Sequence, residues 1–145
     1  MQISTLLSLA ALTTSVLSAP LSMAADAAQW TITGLSRTCD AGDTVCDWTF
    51  GIDNGSSSNA TAVKYTVKAS ASAPASRAPA GPVTVANFTI TSSWSGQFGD
   101  DNGFTTFSVV DNAKRQIVYP SYTDAQLKNG EVVKPDQSYP VQVLP

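Results

Sequence analysis

The sequence predicts an all-β protein: a compact antiparallel β-barrel or sandwich of about 7–8 short strands, with at most one short helix at about 123–129. Two observations carry that reading. Apolar and polar residues alternate at period two over most of the chain after residue 28, the spacing that turns one face of a strand inward. The alternating segments are short and lie between Gly, Asn, Asp and Pro clusters, as in sandwiches and barrels.

Residues 1–19, MQISTLLSLAALTTSVLSA, form an apolar run that ends in small residues and contains no acid. They read as a secretory signal. Its core around Leu6 to Leu17 is too short to span a bilayer. The expectation is therefore export without a transmembrane anchor, with a signal peptide at 1–18 whose cleavage extends at most to about residue 24. Residues 27–145 are expected to form one β domain, long enough to bury its own core.

In QWTITGLS, Trp30, Ile32 and Gly34 share one face of a strand. In CDWTFGID, Trp48, Phe50 and Ile52 do the same. The two cysteines of the chain are Cys39, just after the first of these stretches, and Cys46, which opens the second. In an exported protein they predict one disulfide. The intervening DAGDTV is rich in turn formers, so the bridge is expected to pin the two arms of a hairpin, contributing roughly 2–3 kcal/mol in the chain-entropy account.

Asn54, Asn59 and Asn87 each begin an Asn-X-Ser/Thr sequon and are candidate N-glycosylation sites. The first two lie in the turn-like GIDNGSSSNAT, whereas Asn87 falls inside an expected strand, which disfavours it. Ala62 to Ala69 is the next strand. ASASAPASRAPAGP (69–82) reads as an exposed, mobile, low-complexity loop. Val83 to Ser92 reads as one strand with a bulge near Ala86 and Asn87. Phe104 to Val110, RQIVYP (115–120), EVVK (131–134) and YPVQVL (139–144) complete the strands. The helix at 123–129 rests on Thr123 and Gln126 as a capping box and Gly130 as a C-terminal stop.

The charge balance, −3 from eight basic and eleven acidic residues with no histidine, contains no basic cluster. Neither nucleic acid nor an anionic membrane is an expected partner. Without histidine there is no Ser-His or Cys-His nucleophile pair, and two cysteines alone do not complete a zinc site. Asp100, Asp101, Asp111 and Glu131 supply carboxylates of the kind glycosidases pair. Each stands beside Gly, Asn or another turn residue, however, where a carboxylate more simply accepts from local amides. No catalytic residue, metal ligand or cofactor is assigned.

The stretch WSGQFGDDNGF (94–104) combines three aromatics with an acidic, glycine-rich run. Its Asp100, Asp101 and Asn102 lack the spacing of a calcium loop. It reads as a strand end and a hairpin connection with Asn102–Gly103 at the tip. Trp94 continues the face of Phe88, Ile90 and Ser92 and is expected in the core. The alternative is a sugar-stacking platform formed by Trp94, Phe98 and Phe104. Because rigid β-scaffolds present recognition through loops, Trp94, Gln97, Phe98, Asp100, Asp101 and Asn102 are the candidate recognition residues.

Taken in order, WTITGLSRTCDAGDTVCDWTFGI, PASRA, FTITSSWSGQFGDDNGFTTFSVVD, IVYPSYTDAQL and VVKPDQSYPVQVLP resemble small secreted proteins of filamentous fungi. The group includes hypersensitive-response-inducing protein elicitors and related surface proteins, and the resemblance covers essentially the whole mature chain. It implies a compact β-barrel-like domain, release into the apoplast or culture fluid, and recognition by plant cells as an elicitor or effector. The partner it implies is a host plant surface protein or receptor; the alternative is a cell-wall polysaccharide bound by a carbohydrate-binding module. It brings no catalytic residues. It also implies that relatives carry a second cysteine pair where this chain has Val63 and Val85.

Overall fold

A computed structural model describes residues 28–145. The export signal expected at 1–18, with its extension to about 24, lies outside the described residues. Among the described residues ten antiparallel strands form two sheets. In the first sheet the order is β3 (Thr61–Lys68), β2 (Val45–Asp53), β1 (Gln29–Cys39) and β9 (Gln137–Pro140). In the second it is β10 (Gln142–Val143), β7 (Gln116–Val118), β6 (Phe104–Asp111), β5 (Phe88–Ser95) and β4 (Ala80–Val85), with β8 (Ser121–Thr123) paired to the start of β6. Of the antiparallel barrel or sandwich expected from the alternation, the observed fold is the sandwich. Among the described residues no helix is long and apolar enough to cross a membrane.

The alternation works as the pleat requires. Along β2 and β3, Cys46, Trp48, Phe50, Ile52, Val63, Tyr65 and Val67 are all buried while their neighbours are not. From the opposite sheet Phe88, Ile90, Phe107 and Val109 complete the core. Aromatic edges bridge the layers: Trp48 meets Phe107 at 5.0 Å and Trp30 meets Phe88 at 5.7 Å, both edge-on. That geometry sets the positive rim of one ring against the negative face of the other. In β1 the register shifts between Thr33 and Ser36. Gly34 is exposed there and left-handed (φ 56°), Leu35 turns inward, and Arg37 comes onto the core-facing side.

The disulfide joins Cys39 to Cys46, which are directly paired across the β1–β2 hairpin. Val63 is buried on edge strand β3, and Val85 packs against the same core from edge strand β4. At the positions where the resemblance implies a second cysteine pair, this chain therefore adds apolar burial.

Several expectations need correction. The described strands number ten and not about 7–8; Gly34 is exposed and does not share the inward face of Trp30 and Ile32; and YPVQVL is not one strand but ends β9 and supplies β10, which lie in different sheets. Val83 to Ser92 is not one bulged strand but a hairpin: Val85 pairs with Phe88 across a two-residue turn, with Ala86 left-handed at φ 50°. Asn87 is consequently exposed in a turn and not buried in a ladder. The helix at 123–129 does not form. Its capping box does, with Thr123 N–H donating to Gln126 Oε1 at 2.9 Å and Gln126 N–H to Thr123 Oγ1 at 3.3 Å. The chain then passes through turns into a 3₁₀ turn, Lys128–Gly130, where Asn129 is left-handed (φ 60°) and stops propagation. EVVK makes no ladder: Val133 N–H alone reaches Leu35 C=O at 2.8 Å, burying Val133 and leaving Val132 exposed. Finally, the 69–82 segment is not wholly loop. It holds a 3₁₀ turn, Ala75–Arg77, with Ala75 buried, and it runs into β4.

Candidate functional site: the loop face at the disulfide end

Strand directions bring four connections to one end of the sandwich: residues 40–44, 69–79, 96–103 and 124–130. The first two are held by short polar side chains that satisfy loop amides. The Asp40 carboxylate accepts from Thr44 N–H at 2.6 Å, from Val45 N–H at 3.1 Å and from the Thr44 hydroxyl. The Thr44 hydroxyl foremost, then those two amides, hold the Asp40 pKa below the usual carboxylate value. Asp43, left-handed at φ 51°, accepts from Ser76 N–H at 2.8 Å and from the Ser76 hydroxyl, while its own C=O accepts from Ala75 N–H at 2.9 Å. Through Asp43 the disulfide hairpin clamps the Ala75–Arg77 turn. Asp43 also lies beside the sulfurs of Cys39 and Cys46, but both sulfurs are committed to the disulfide.

The centre of this end is a chain of charged and aromatic groups. Arg37, only 8 % exposed, donates from Nη1 to Asp124 Oδ1 at 3.3 Å and to Ser76 C=O at 3.2 Å. Its guanidinium lies 5.5 Å from the Trp48 ring centroid. The other Asp124 oxygen accepts from Trp94 Nε1 at 2.8 Å. Over the Trp94 ring, at 4.4 Å, sits the guanidinium of Arg77, which also approaches Asp100 at 3.8 Å. A guanidinium over an indole face is attracted by the ring quadrupole. One buried cation and one indole thereby tie β1, β5, the Ala75–Arg77 turn and the 124–127 turn together.

The glycines of WSGQFGDDNGF now have a reason. A Cβ at Gly103 would lie 2.5 Å from both Trp94 Nε1 and Asp124 Oδ2, and one at Gly96 would lie 2.5 Å from Trp94 Cη2. The loop must close directly over the indole, and only glycine lets the backbone do so. Asn102–Gly103 is therefore not a hairpin tip. The connection is eight residues long, 96–103, contains the 3₁₀ turn Asp100–Asn102, and enters β6 with Gly103 buried and extended (φ −65°).

Trp94 is half-buried, neither free platform nor core, because Arg77 covers its face. Gln97, Phe98, Asp100, Asp101 and Asn102 are exposed, Phe98 at 68 %. Phe98 and Phe104 lie 5.9 Å apart, tilted by 30°. With Asn102, Ser121, Tyr122 and Thr123 they line a shallow groove of about 300 Å³. A larger, polar cleft of about 520 Å³ runs beside Arg37, with Asp40, Asp43, Leu127 and Lys128 in its walls. Sequence patterns do not single out Arg37, Arg77 or Asp124. For Arg37 the strict alternation misleads: in step with Trp30, Ile32 and Gly34 it would face outward, and only the register shift at Gly34 brings it inward after Leu35. Asp124 is recognisable only through partners 30 and 87 positions away.

The sequons collect at the opposite end. Asn54 is half-buried, while Asn59 and Asn87 are exposed. Asn54 Nδ2–H donates to Asp111 Oδ2 at 3.4 Å, and Asp111, 3 % exposed, also accepts from Ala113 N–H and Lys114 N–H at 3.0 Å each. Asp111 is thus an acceptor for turn amides, as its neighbourhood in the sequence predicts.

Together these features define a small, disulfide-pinned β-sandwich whose polar residues organise loops at its two ends. The chain belongs to the Effector TSP1 family: the family model matches residues 31–144. A relative named Effector TSP1, from Hypocrea virens (strain Gv29-8 / FGSC 10586), is 56% identical over 124 residues, covering 86% of this chain and 82% of the relative. The expected kinship with small fungal effectors and elicitors is thereby established.

Proposed function

We propose that the protein is a secreted, non-enzymatic effector that elicits a hypersensitive-type defence response by presenting its disulfide-end loops to a plant surface protein or receptor. Membership in an effector family supports the class of activity. The observation that carries the choice of face is the contrast between its base and its tip. Arg37, Asp124, Trp94 and Arg77 lock the base, whereas Phe98, Gln97, Asp100, Asp101 and Asn102 stand exposed above it. A preorganised loop loses little conformational entropy on binding, and an exposed aromatic flanked by polar groups is the composition of an interface anchor.

Leaf infiltration tests this reading. Purified folded protein at micromolar dose is expected to cause cell death or a defence response, and a heat-treated, disulfide-reduced sample is expected to cause none. Silence of the folded sample across several hosts would overturn it. The Phe98–Phe104 groove favours a second reading, a cell-wall carbohydrate-binding module. Two tilted rings offer stacking faces, and Asn102, Ser121 and Thr123 offer hydroxyl partners. Pull-down on chitin, cellulose and β-glucan discriminates: retention that Phe98→Ala abolishes supports the groove, and retention that survives it removes this site.

A further inference from the structure

All three sequons come together at the end of the sandwich remote from the disulfide. Asn54 and Asn59 lie in the connection between β2 and β3, and Asn87 in the turn between β4 and β5. Asn54, Asn87, Asp111 and Lys114 line one cavity of about 220 Å³, which places the two connections side by side. Nothing in the sequence requires this, because Asn54 and Asn87 are brought together only by the packing of the two sheets. The three amides are nevertheless not equivalent.

Asn54 is built into the fold at both side-chain atoms. Its Oδ1 accepts from Ser56 N–H at 3.1 Å and its Nδ2 donates to buried Asp111. Asn59 is exposed, and it is its backbone C=O that accepts from the Ser57 hydroxyl. Asn87 is exposed as well, and again the backbone holds the turn, its C=O accepting from Asn112 N–H at 2.9 Å and from Asn112 Nδ2–H at 3.0 Å. At both of these positions a group attached to Nδ2 leaves the hydrogen bonds of the turn intact.

We infer that Asn59 and Asn87 are the N-glycosylated residues of the exported protein and that Asn54 stays unmodified. The inference rests on the export proposed above. In the transfer, the amide nitrogen attacks the anomeric carbon of an oligosaccharide carried on a lipid diphosphate. The bond from that carbon to the diphosphate oxygen breaks, Nδ2 loses one proton, and the lipid diphosphate departs. Transfer acts on the extended chain, so the fold acts afterwards as a filter. A sugar on Asn54 must share the cavity walled by Asp111 and Lys114 and disturb the amide that Asp111 accepts from. Asn87 borders the same cavity, but it is exposed and holds its turn through its backbone C=O, as Asn59 does, so sugars at these two positions displace no side-chain bond to a buried group. Two glycans at this end leave the loops around Trp94 and Phe98 bare, so the modification gives the molecule a covered end and a contact end.

The test uses the full chain, with its own N-terminus, expressed in a filamentous fungus and collected from the medium. N-glycans are released by peptide N-glycosidase in heavy-oxygen water, which converts each glycosylated Asn to labelled Asp, and the peptides are mapped by mass spectrometry. Label at Asn59 and Asn87 with Asn54 unlabelled is the expected result. In support, N59Q and N87Q each remove one step of gel mobility, while N54Q removes none. Label on Asn54, or its absence from either Asn59 or Asn87, overturns the inference. In a chain recovered from the medium that failure leaves export standing, whereas a chain retained in the cells overturns both.

Discussion

At the disulfide end, connections that start far apart in the sequence are tied to one another by side chains. Arg37, Asp124, Trp94 and Arg77 form a single run of contacts across both sheets. At the opposite end, Asp111 satisfies two amides of its own turn and one amide from the neighbouring connection. Both ends bury a charged group almost completely, Arg37 at 8 % and Asp111 at 3 % exposed, yet to different purpose. The first couples strands and loops across both sheets, and the second finishes its own turn and holds Asn54 of the neighbouring connection. A face whose loops share one buried network moves as a unit and suits a contact surface, whereas turns joined by fewer, largely exposed contacts, such as Asn112 on the Asn87 carbonyl, leave room for bulky modification.

The largest expected effect breaks the first network. Arg37→Ala leaves Asp124 without its cation and strips the packing from Trp48. Removing one partner of a buried pair costs about 3–5 kcal/mol, and the partial exposure of Asp124, whose side chain is 27% accessible, lowers the expectation to about 2–4 kcal/mol. Asp111→Ala, in contrast, leaves turn amides that water can reach, and its expected cost is about 1–2 kcal/mol. Urea denaturation compares the two variants directly. Hydrogen exchange adds the sharper reading: Arg37→Ala is expected to loosen 75–77, 94–103 and 124–127 together, and Asp111→Ala to loosen 112–115 with the adjoining 54–56 turn that Asn54 anchors, without reaching the disulfide end. Equal costs with equally local loosening would remove the distinction between the ends.

A perturbation of the shared core is the control, since it affects both ends alike. Burial pushes the Tyr65 phenol from 10.0 up to about 12 against a smaller opposing effect of its hydrogen bond to Ser92. A raised folded pKa means that the native state holds its proton where the unfolded chain has lost it. The associated stability is complete below about pH 10 and is lost as pH rises from there toward about 12. Two pH units correspond to roughly 3 kcal/mol at most. Tyr65→Phe is therefore expected to flatten the alkaline side of the stability profile, measured by denaturation between about pH 8 and about pH 12, a range that brackets the ordinary and the raised phenol. Loss of stability at the same pH in wild type and variant would assign the alkaline transition elsewhere.

Gly103→Ala tests the close approach at the contact end. Its Cβ would intrude between Trp94 Nε1 and Asp124 Oδ2, and such overpacking costs about 1–3 kcal/mol. Increased Trp fluorescence quenching by acrylamide is expected, because the loop must lift from the indole. Unchanged quenching and stability would mean that the glycine is dispensable to the closure.

What is legible in the sequence divides along the same line. Local, periodic features are readable: the alternation of β2, β3, β6 and the first half of β1 up to the shift at Gly34, the hairpin disulfide at Cys39 and Cys46, and the exposed Gln97, Asp100, Asp101 and Asn102. Features that depend on distant partners are not. WSGQFGDDNGF announces its glycines but not the indole they accommodate, since Trp94 is fixed by Asp124 and covered by Arg77. The capping box at Thr123 and Gln126 is correct as local chemistry. It fails as a helix predictor because the next residues dock on β1, where Leu127 is buried and Gly130 lies against Thr38.

The β4–β5 turn is hidden in the sequence because Ala86–Asn87 is not a usual two-residue turn pair, and that oddity supplies the smallest prediction. Ala86 occupies the left-handed region at φ 50°, where its Cβ meets the following carbonyl at a cost of about 1–2 kcal/mol. Glycine removes that cost but gives back about 0.5–1 kcal/mol through the greater freedom of the unfolded chain. Ala86→Gly is therefore expected to stabilise the protein by about 0.5–1 kcal/mol, read as a higher urea midpoint at unchanged slope. The substitution leaves the Asn87-Phe88-Thr89 sequon intact, so it changes the strain in the turn without changing its modification. If the midpoint falls instead, the Ala86 methyl contributes packing that outweighs the backbone strain, and the turns at this end are less independent of the core than those at the disulfide end.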